Sequence, residues 1–589
     1  MGGLAALVFL IGLGRRDIAV SHEARVAESA REMVAVGWPW SGQRTLIQPS
    51  RVVHLGPIIR LEPDQNAPPM AVNPWIVPLL NGEARLQKPP LPYWCAAVLF
   101  QLFGFSEWAA RVTPALMGAL GTLLMYDLAR LLAGRGRARL AALVWITTFF
   151  IPDDYRKAMP DPYLAFMTMA CVWAWVKACF NQGNTRGLIL LFYVFIALGL
   201  LAKGPVILLH VVTALALFHF CYRKRWSGVA WPHLAGFIVV LLIALPWCIA
   251  VLHSVPNAIE IWRYESVGEI TDNTENARPF WFYLPNLVLI SVPWTAATVV
   301  GLIVAVRRRR IDLRRLFPIF WFGATVVFFS FVHLKKNPYL LPTMPALTLV
   351  IADGLYAALA AARRGGRWAW GGIILVVQTA IGIGFCVLLI VLIFTQTAHR
   401  PACVGLASAA LLLAFVPLVV MRFGIRRWLC WQTAAYVVLT IGFFLAYETP
   451  FDNARSPKAL AAELVQKAEE PDTTILRQHL PEEVAVYLPL KRESETAQFV
   501  LVVIDDQKGV KDRQKSRQTP DVPSPDSFAG WFPNAQVLFV DRVPMRSAPG
   551  DARWKVYELT LQRQVYAAPL RASPAPTASL VRSRSTATS

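Results

Sequence analysis

Lys203 lies in Leu201-Ala202-Lys203-Gly204-Pro205, between two apolar stretches with almost no loop to solvate it. An ionisable group at membrane depth is costly and points to function; snorkelling of the long side chain to the headgroups is the alternative. Two further cations stand in comparable settings. Lys88 opens Lys88-Pro89-Pro90-Leu91-Pro92, and Arg25 lies in the amphipathic stretch His22-Glu23-Ala24-Arg25-Val26-Ala27-Glu28. Asp161 closes an acidic run, Pro152-Asp153-Asp154-Tyr155-Arg156-Lys157-Ala158-Met159-Pro160-Asp161, immediately before another apolar stretch. A later loop holds His333, Lys335, Lys336 and Tyr339. Lysine offers phosphate a compact charge and arginine grips it with two parallel bonds. Carboxylates beside such cations can activate or orient a nucleophile. The residues alone therefore point to an enzyme or a transporter acting on a phospholipid-like molecule, with Asp153 and Asp154 expected to be solvated.

These side chains sit at the ends of long apolar segments. The chain has 589 residues, 56% of them hydrophobic and 16% charged, and a soluble protein of that composition would expose aggregating patches. A bilayer core takes roughly 20 apolar residues per helix. Spans are expected at 2–13, 108–129, 140–151, 162–180, 187–202, 205–221, 230–252, 281–306, 316–333, 339–360, 368–395, 402–421 and 428–446, about thirteen in all. The first is short and lacks the basic flank of a signal peptide. Every second connection is basic: Arg130 to Arg139, Arg223 to Arg225, Arg307 to Arg315, Arg363 to Arg367, and Arg422 to Arg427. That alternation puts the N-terminus inside and the C-terminal region outside. It also accounts for much of the +21 net charge, so the charge argues for the bilayer and against nucleic acid. The eight cysteines lie in or beside apolar segments without metal-ligand spacing and read as small core hydrophobes.

The organisation follows. Residues 1–446 form the membrane domain, with a first outer loop over 14–107. Its amphipathic stretch from His22 fits a helix lying along the membrane surface. Residues 447–564 read as a small soluble α/β domain, with a helix over 457–468 capped by Ser456 and strands at 483–489, 498–504, 536–541 and 554–561. Residues 565–589 are rich in Ala, Ser, Pro, Thr and Arg, which predicts disorder.

At these residues the chain resembles the bacterial membrane glycosyltransferases of the GT-C fold, in the aminoarabinose transferase and protein O-mannosyltransferase group. His22 to Glu28 resembles the family's Asp-Glu-x-Arg-Tyr-Ala-Glu. Lys88-Pro89-Pro90-Leu91 with Tyr93-Trp94 resembles Lys-Pro-Pro-Leu-x-Tyr-Trp. Phe103-Gly104-Phe105-Ser106-Glu107-Trp108-Ala109-Ala110-Arg111, Met159-Pro160-Asp161, Leu200 to Pro205, Leu245-Pro246-Trp247, Pro279 to Tyr283 and Lys335 to Pro342 continue the match in order.

The resemblance implies an α-helical polytopic protein and a membrane glycosyltransferase. It would move a sugar from a polyprenyl-phosphate donor to a lipid, glycan or protein acceptor outside a bacterial cytoplasmic membrane. It implies donor-phosphate contacts from Arg25, Lys88 and Lys203, catalytic roles for Asp161, Glu23 and His22, and substrate contacts from Tyr339 and Lys335. The chain carries His22 where the family has Asp, and Gln87 where the aminoarabinose enzymes have Glu. These departures leave open the base that serves a hydroxyl acceptor; no cofactor is assigned, and a divalent metal stays open with its ligands unknown. A phosphate acceptor would need no base. A flippase for lipid-linked sugars, or a member that only binds polyprenyl phosphate, would share the cations, although no internal repeat of the transporter kind is visible.

Overall fold

The computed structural model describes residues 1–55, 58–63, 67–180, 183–222, 230–263, 278–306, 313–333, 335–365, 370–396, 419, 423–470, 473–476, 480–490, 499–505, 535–543 and 554–563. The tail 565–589, the basic clusters at 223–225 and 307–310 and, but for residue 419, the expected span 402–421 lie outside them. The described residues group into two compact units, 1–465 with 477–492 and 466–476 with 493–589.

The first unit is an α-helical, multi-pass membrane protein. It begins with α1 (Gly2–Leu10) and α2 (Ser21–Ala35), followed by short strand pairs between residues 45 and 84. Then come α3 (Leu91–Phe103), α4 (Glu107–Ala133), α5 (Arg135–Thr147), α6 (Phe150–Tyr155), α7 (Pro160–Cys179), α8 (Thr185–Lys203), α9 (Val206–Tyr222) and α10 (Ala230–Ser254). After α11 (Ala258–Arg263), α12 (Tyr283–Ser291) and α13 (Thr295–Val306) follow, then α14 (Leu313–Phe331), α15 (Met344–Gly365), α16 (Trp370–Gln396) and α17 (Ile425–Phe443). Among the described residues, 7 helices are long and apolar enough to cross a membrane, or 8 if the pair ending in α12 and α13, bent by 115°, counts as one. The segment expected at 2–13 gives only the 9-residue α1, and that expected at 140–151 gives the 13-residue α5.

Local chemistry sets the helix ends. Ser106 caps α4 by accepting the Ala109 amide at 3.2 Å, and Gly134, at φ +85°, ends it. Pro160 opens α7, where its missing N–H costs nothing. The interior is built on fully buried tryptophans whose ring N–H groups are all but one satisfied. Trp145 donates to the Gly118 carbonyl at 3.2 Å, Trp294 to Thr147 at 2.9 Å and Trp428 to Thr379 at 3.1 Å. Within lipid an unpaired donor is expensive. Helices α13 and α15 cross backbone to backbone: a Cβ on Gly354 would lie 1.9 Å from the Ala297 carbonyl oxygen, and one on Gly301 2.2 Å from that of Val350. Small residues at such crossings replace the hydrophobic force that lipid removes.

Two expectations change. The amphipathic helix α2 spends its apolar face on protein, burying Ala24, Ala27, Ala30 and Met33 against Tyr93, Ala97 and Phe100 of α3 and Ala110 of α4. The run 483–489 is not a strand. Pro481 starts a short helix, α18 (Glu482–Ala485), and Val484, Ala485 and Val486 are buried in succession rather than alternately. By packing, residues 447–465 and 477–492 belong to the membrane unit, whereas composition changes at 447.

The second unit is a four-stranded sheet in the order 473–475, 499–505, 554–563, 535–543. The first pair is parallel and the others antiparallel, with a register shift at Thr560/Leu561. Leu476, Val500, Val502, Val540, Tyr557, Leu559 and Leu561 form its core.

Candidate active site

The N-terminal turn of α7 and the C-terminal turn of α8 lie side by side and carry opposite charges. Lys203 Nζ stands 2.5 Å from Asp161 Oδ1, with only 14% and 16% of the two side chains exposed. Each charge also complements its helix end, an acid at the N-terminus and a base at the C-terminus. Tyr339 faces the same ammonium, its ring centroid 5.0 Å from Nζ. Gly204 turns the chain directly after Lys203 at φ +76°, and a Cβ there would sit 3.9 Å from Pro89 Cγ. The Lys88-Pro89 turn therefore packs against the Lys203-Gly204 turn. Asp161, Lys203 and Tyr339, chosen from separate motifs, meet at one point, with the turn that follows Lys88 packed beside Gly204.

His22, at the start of α2, belongs to the same group. Partial burial, then the charges of Lys336 and Arg25, hold its imidazole below the ordinary 6.5; Asp161 opposes them and Arg85 adds to them. The residue as a whole remains exposed to solvent. A neutral imidazole can accept a proton, but cations around it weaken it as a base. Arg25 pairs with Glu482, Nε to Oε1 at 2.9 Å. Lys335 is spent elsewhere: buried, it donates to the carbonyls of Arg278 at 2.9 Å and Val332 at 2.6 Å. Its neighbour Lys336 is the one whose field reaches His22.

Glu23 sits in a cage of donors. Arg111 binds both its oxygens, at 2.8 and 2.9 Å, Arg16 adds a bond at 2.9 Å, and the Ala158 amide a fourth at 2.9 Å. Burial alone would raise this carboxyl; Arg111 and Arg16 outweigh it and hold it down at about 2. So occupied an anion is a poor base, and its effect is to fix α2 to α4 and to the loop before α7. Arg16 also binds Glu448 and approaches Asp452 at 3.6 Å. Asp154 is buried, not solvated: its Oδ2 has no hydrogen-bond partner and Lys157 is 3.9 Å from Oδ1. Burial pushes its carboxyl well above the ordinary carboxylate range, with Lys157 opposing and Asp153 and Asp161 assisting. Among the described residues no group of three or more His, Cys, Asp and Glu side chains is placed to hold a metal ion.

The chain is similar to several known proteins. Residues 87–249 match the family model of dolichyl-phosphate-mannose-protein mannosyltransferases. Over 303 residues the chain is 32% identical to an undecaprenyl phosphate-alpha-4-amino-4-deoxy-L-arabinose arabinosyl transferase of Pseudomonas fluorescens, covering 49% of this chain and 53% of that protein. A transferase of the same name from Serratia proteamaculans is 26% identical over 367 residues, covering 61% and 59%. The chain thus spans little more than half the length of these curated relatives. The crystal structure of ArnT from Cupriavidus metallidurans bound to undecaprenyl phosphate superposes with a TM-score of 0.68, at 21% identity over 94% of this chain and 96% of that one. The fold is that of ArnT.

On this fold the sequence motifs become turns that face one another, and the likeness in fold extends along 94% of this chain. What sequence reasoning missed is the set of partners. Lys336 was adjacent to a chosen residue, and Arg85 lay three residues before Lys88. Both could have been found by gathering every cation of the two loops. Glu482, Arg16, Glu448 and Asp452 carried no local signal, because each is defined by a residue far away in the chain.

Proposed function

We propose that the protein is an integral membrane glycosyltransferase. It transfers a sugar from a polyprenyl-phosphate-linked donor to a lipid, glycan or protein acceptor at the extracytoplasmic face of a bacterial cytoplasmic membrane. The observation that carries this reading is the Asp161–Lys203 pair at the meeting of three turns, with Tyr339 facing it and the Lys88-Pro89 turn packed beside Gly204.

The chemistry asks little beyond placed charge. The bond between the anomeric carbon and the phosphate oxygen breaks, its electron pair leaves on phosphate, and the acceptor oxygen forms the new bond. The leaving phosphate gains negative charge, so fixed cations stabilise the transition state more than the ground state. Lys88, Lys203 and Arg25 take that task, and Tyr339 helps to hold the Lys203 ammonium. Asp161 orients Lys203 through their ion pair. A hydroxyl acceptor must give up its proton, and His22 or Asp161 receives it; a phosphate acceptor has none to give.

Membranes containing the protein, supplied with polyprenyl-linked radiolabelled sugar, should transfer label to an endogenous acceptor, and Asp161→Asn should slow that transfer markedly at unchanged protein level. Movement of the lipid across the bilayer without transfer would identify a flippase, and binding alone a degenerate member. Orientation has its own test. A reporter fused after residue 447 is expected to be active only when exported; cytoplasmic activity there would invert the site to the inner face.

A further inference from the structure

The segment 480–490 lies across α2. Arg31 donates to the carbonyls of Ala485 at 3.2 Å, Leu488 at 2.7 Å and Val486. Tyr487 Oη accepts the Ile18 amide at 2.7 Å, and Asn81 donates to the Leu480 carbonyl at 3.0 Å. Val486 is fully buried in the cluster that holds α2 to α3 and α4. The segment is thus pinned at both ends, and between the pins it presents Glu482 to Arg25 at 2.9 Å.

That contact sets two anions in competition. On the reading above, Arg25 is one of the cations that meet the donor phosphate. We infer that Glu482 is a positioning residue: its carboxylate occupies Arg25 in the absence of donor and is displaced from the guanidinium when the donor phosphate arrives. Charge and geometry favour such an exchange. The Arg25 side chain is 31% exposed and Glu482 15%, so the pair is accessible to an incoming anion and moderate in strength. The donor's phosphodiester matches the carboxylate in charge and offers the same two-oxygen geometry, and it gains a second negative charge as the sugar leaves; undecaprenyl phosphate, a monoester, carries that extra charge from the outset. The carboxylate keeps Arg25 extended from α2 toward the segment while the site is empty. A guanidinium occupied part of the time lowers apparent affinity by that fraction.

The inference rests on Arg25 binding donor phosphate, and the test separates the two. Binding of undecaprenyl phosphate to the purified full chain in nanodiscs is measured for wild type, Glu482→Gln, Glu482→Asp, Arg25→Gln and the Glu482→Gln/Arg25→Gln double variant, each checked for monodispersity. Glu482→Gln should tighten binding about three- to tenfold, Glu482→Asp should stay near wild type, Arg25→Gln should weaken binding, and the gain from Glu482→Gln should vanish without Arg25. A merely structural carboxylate would not improve affinity when removed. If Arg25→Gln weakens binding while Glu482→Gln leaves it unchanged or weaker, the exchange is wrong and the phosphate role of Arg25 stands. If Arg25→Gln leaves binding unchanged, the role of Arg25 fails and the exchange falls with it.

Discussion

Purified Lys203→Ala is expected to transfer sugar about 10²–10³-fold more slowly than wild type and to bind polyprenyl phosphate more weakly. Two losses combine. The phosphate loses a cation that serves it before and, more strongly, during bond cleavage. Asp161, largely buried at 2.5 Å from the missing ammonium, is left as an uncompensated anion facing an anionic donor. Lys203→Arg should recover only part, because a planar fork cannot replace a point charge between a helix end and the Gly204 turn. Asp161→Asn should also slow transfer, and the double variant Lys203→Ala/Asp161→Asn should cost less than the two single effects added, as expected for partners in contact. Additive effects would mean that the two residues act separately, and unchanged binding and rate in Lys203→Ala would remove this lysine from the site.

The second large effect concerns stability. Glu23→Ala leaves Arg111 and Arg16, both deeply buried, without their shared anion, and breaking such a pair from one side costs about 3–5 kcal/mol. The expected result is a clear fall in the unfolding temperature of the detergent-purified protein and a poor yield, with Glu23→Gln milder in the same direction. The pH dependence has a definite sign. A carboxyl held at about 2, against 4.5 for the ordinary side chain, stabilises the fold fully above the unfolded value and loses that contribution as pH falls from there toward 2. A Glu23→Gln protein that unfolds like wild type but is inactive would return Glu23 to the catalytic set.

The motifs were legible because proline and glycine fix the local backbone. Lys88-Pro89-Pro90 and Lys203-Gly204-Pro205 announce turns that hold a cation at a helix end, and Pro160 announces a helix start beside Asp161. Which charges those turns face was not legible. Glu23 carries the same local signal whether it is a base or the anchor of two arginines; only the arrival of Arg111 from α4 and Arg16 from before α2 decides. Lys335 and Lys336 are neighbours, and the extended backbone before the Asn337 turn decides which one is spent on carbonyls. Asp154 looked solvated because its run is acidic, but the short α6 turns it inward. At 483–489 the β-branched and apolar residues promised a strand, and Pro481 with two following glutamates made a helix start instead.

The bond between Arg16 and Glu448 spans 432 residues of chain, and that from Ile18 to Tyr487 spans 469. At a synthesis rate of 5–20 residues per second, about 20–90 s separate the making of the first partner from the second. The earliest loop of the protein is therefore finished by the latest part of its membrane unit. Through that interval Arg16 and the Ile18 amide wait for partners that the ribosome has not yet delivered, so assembly of the cation cluster is a late event. Substitutions at Glu448, Asp452 or Tyr487 should then appear as faults of the first loop, although they lie at the opposite end of the chain.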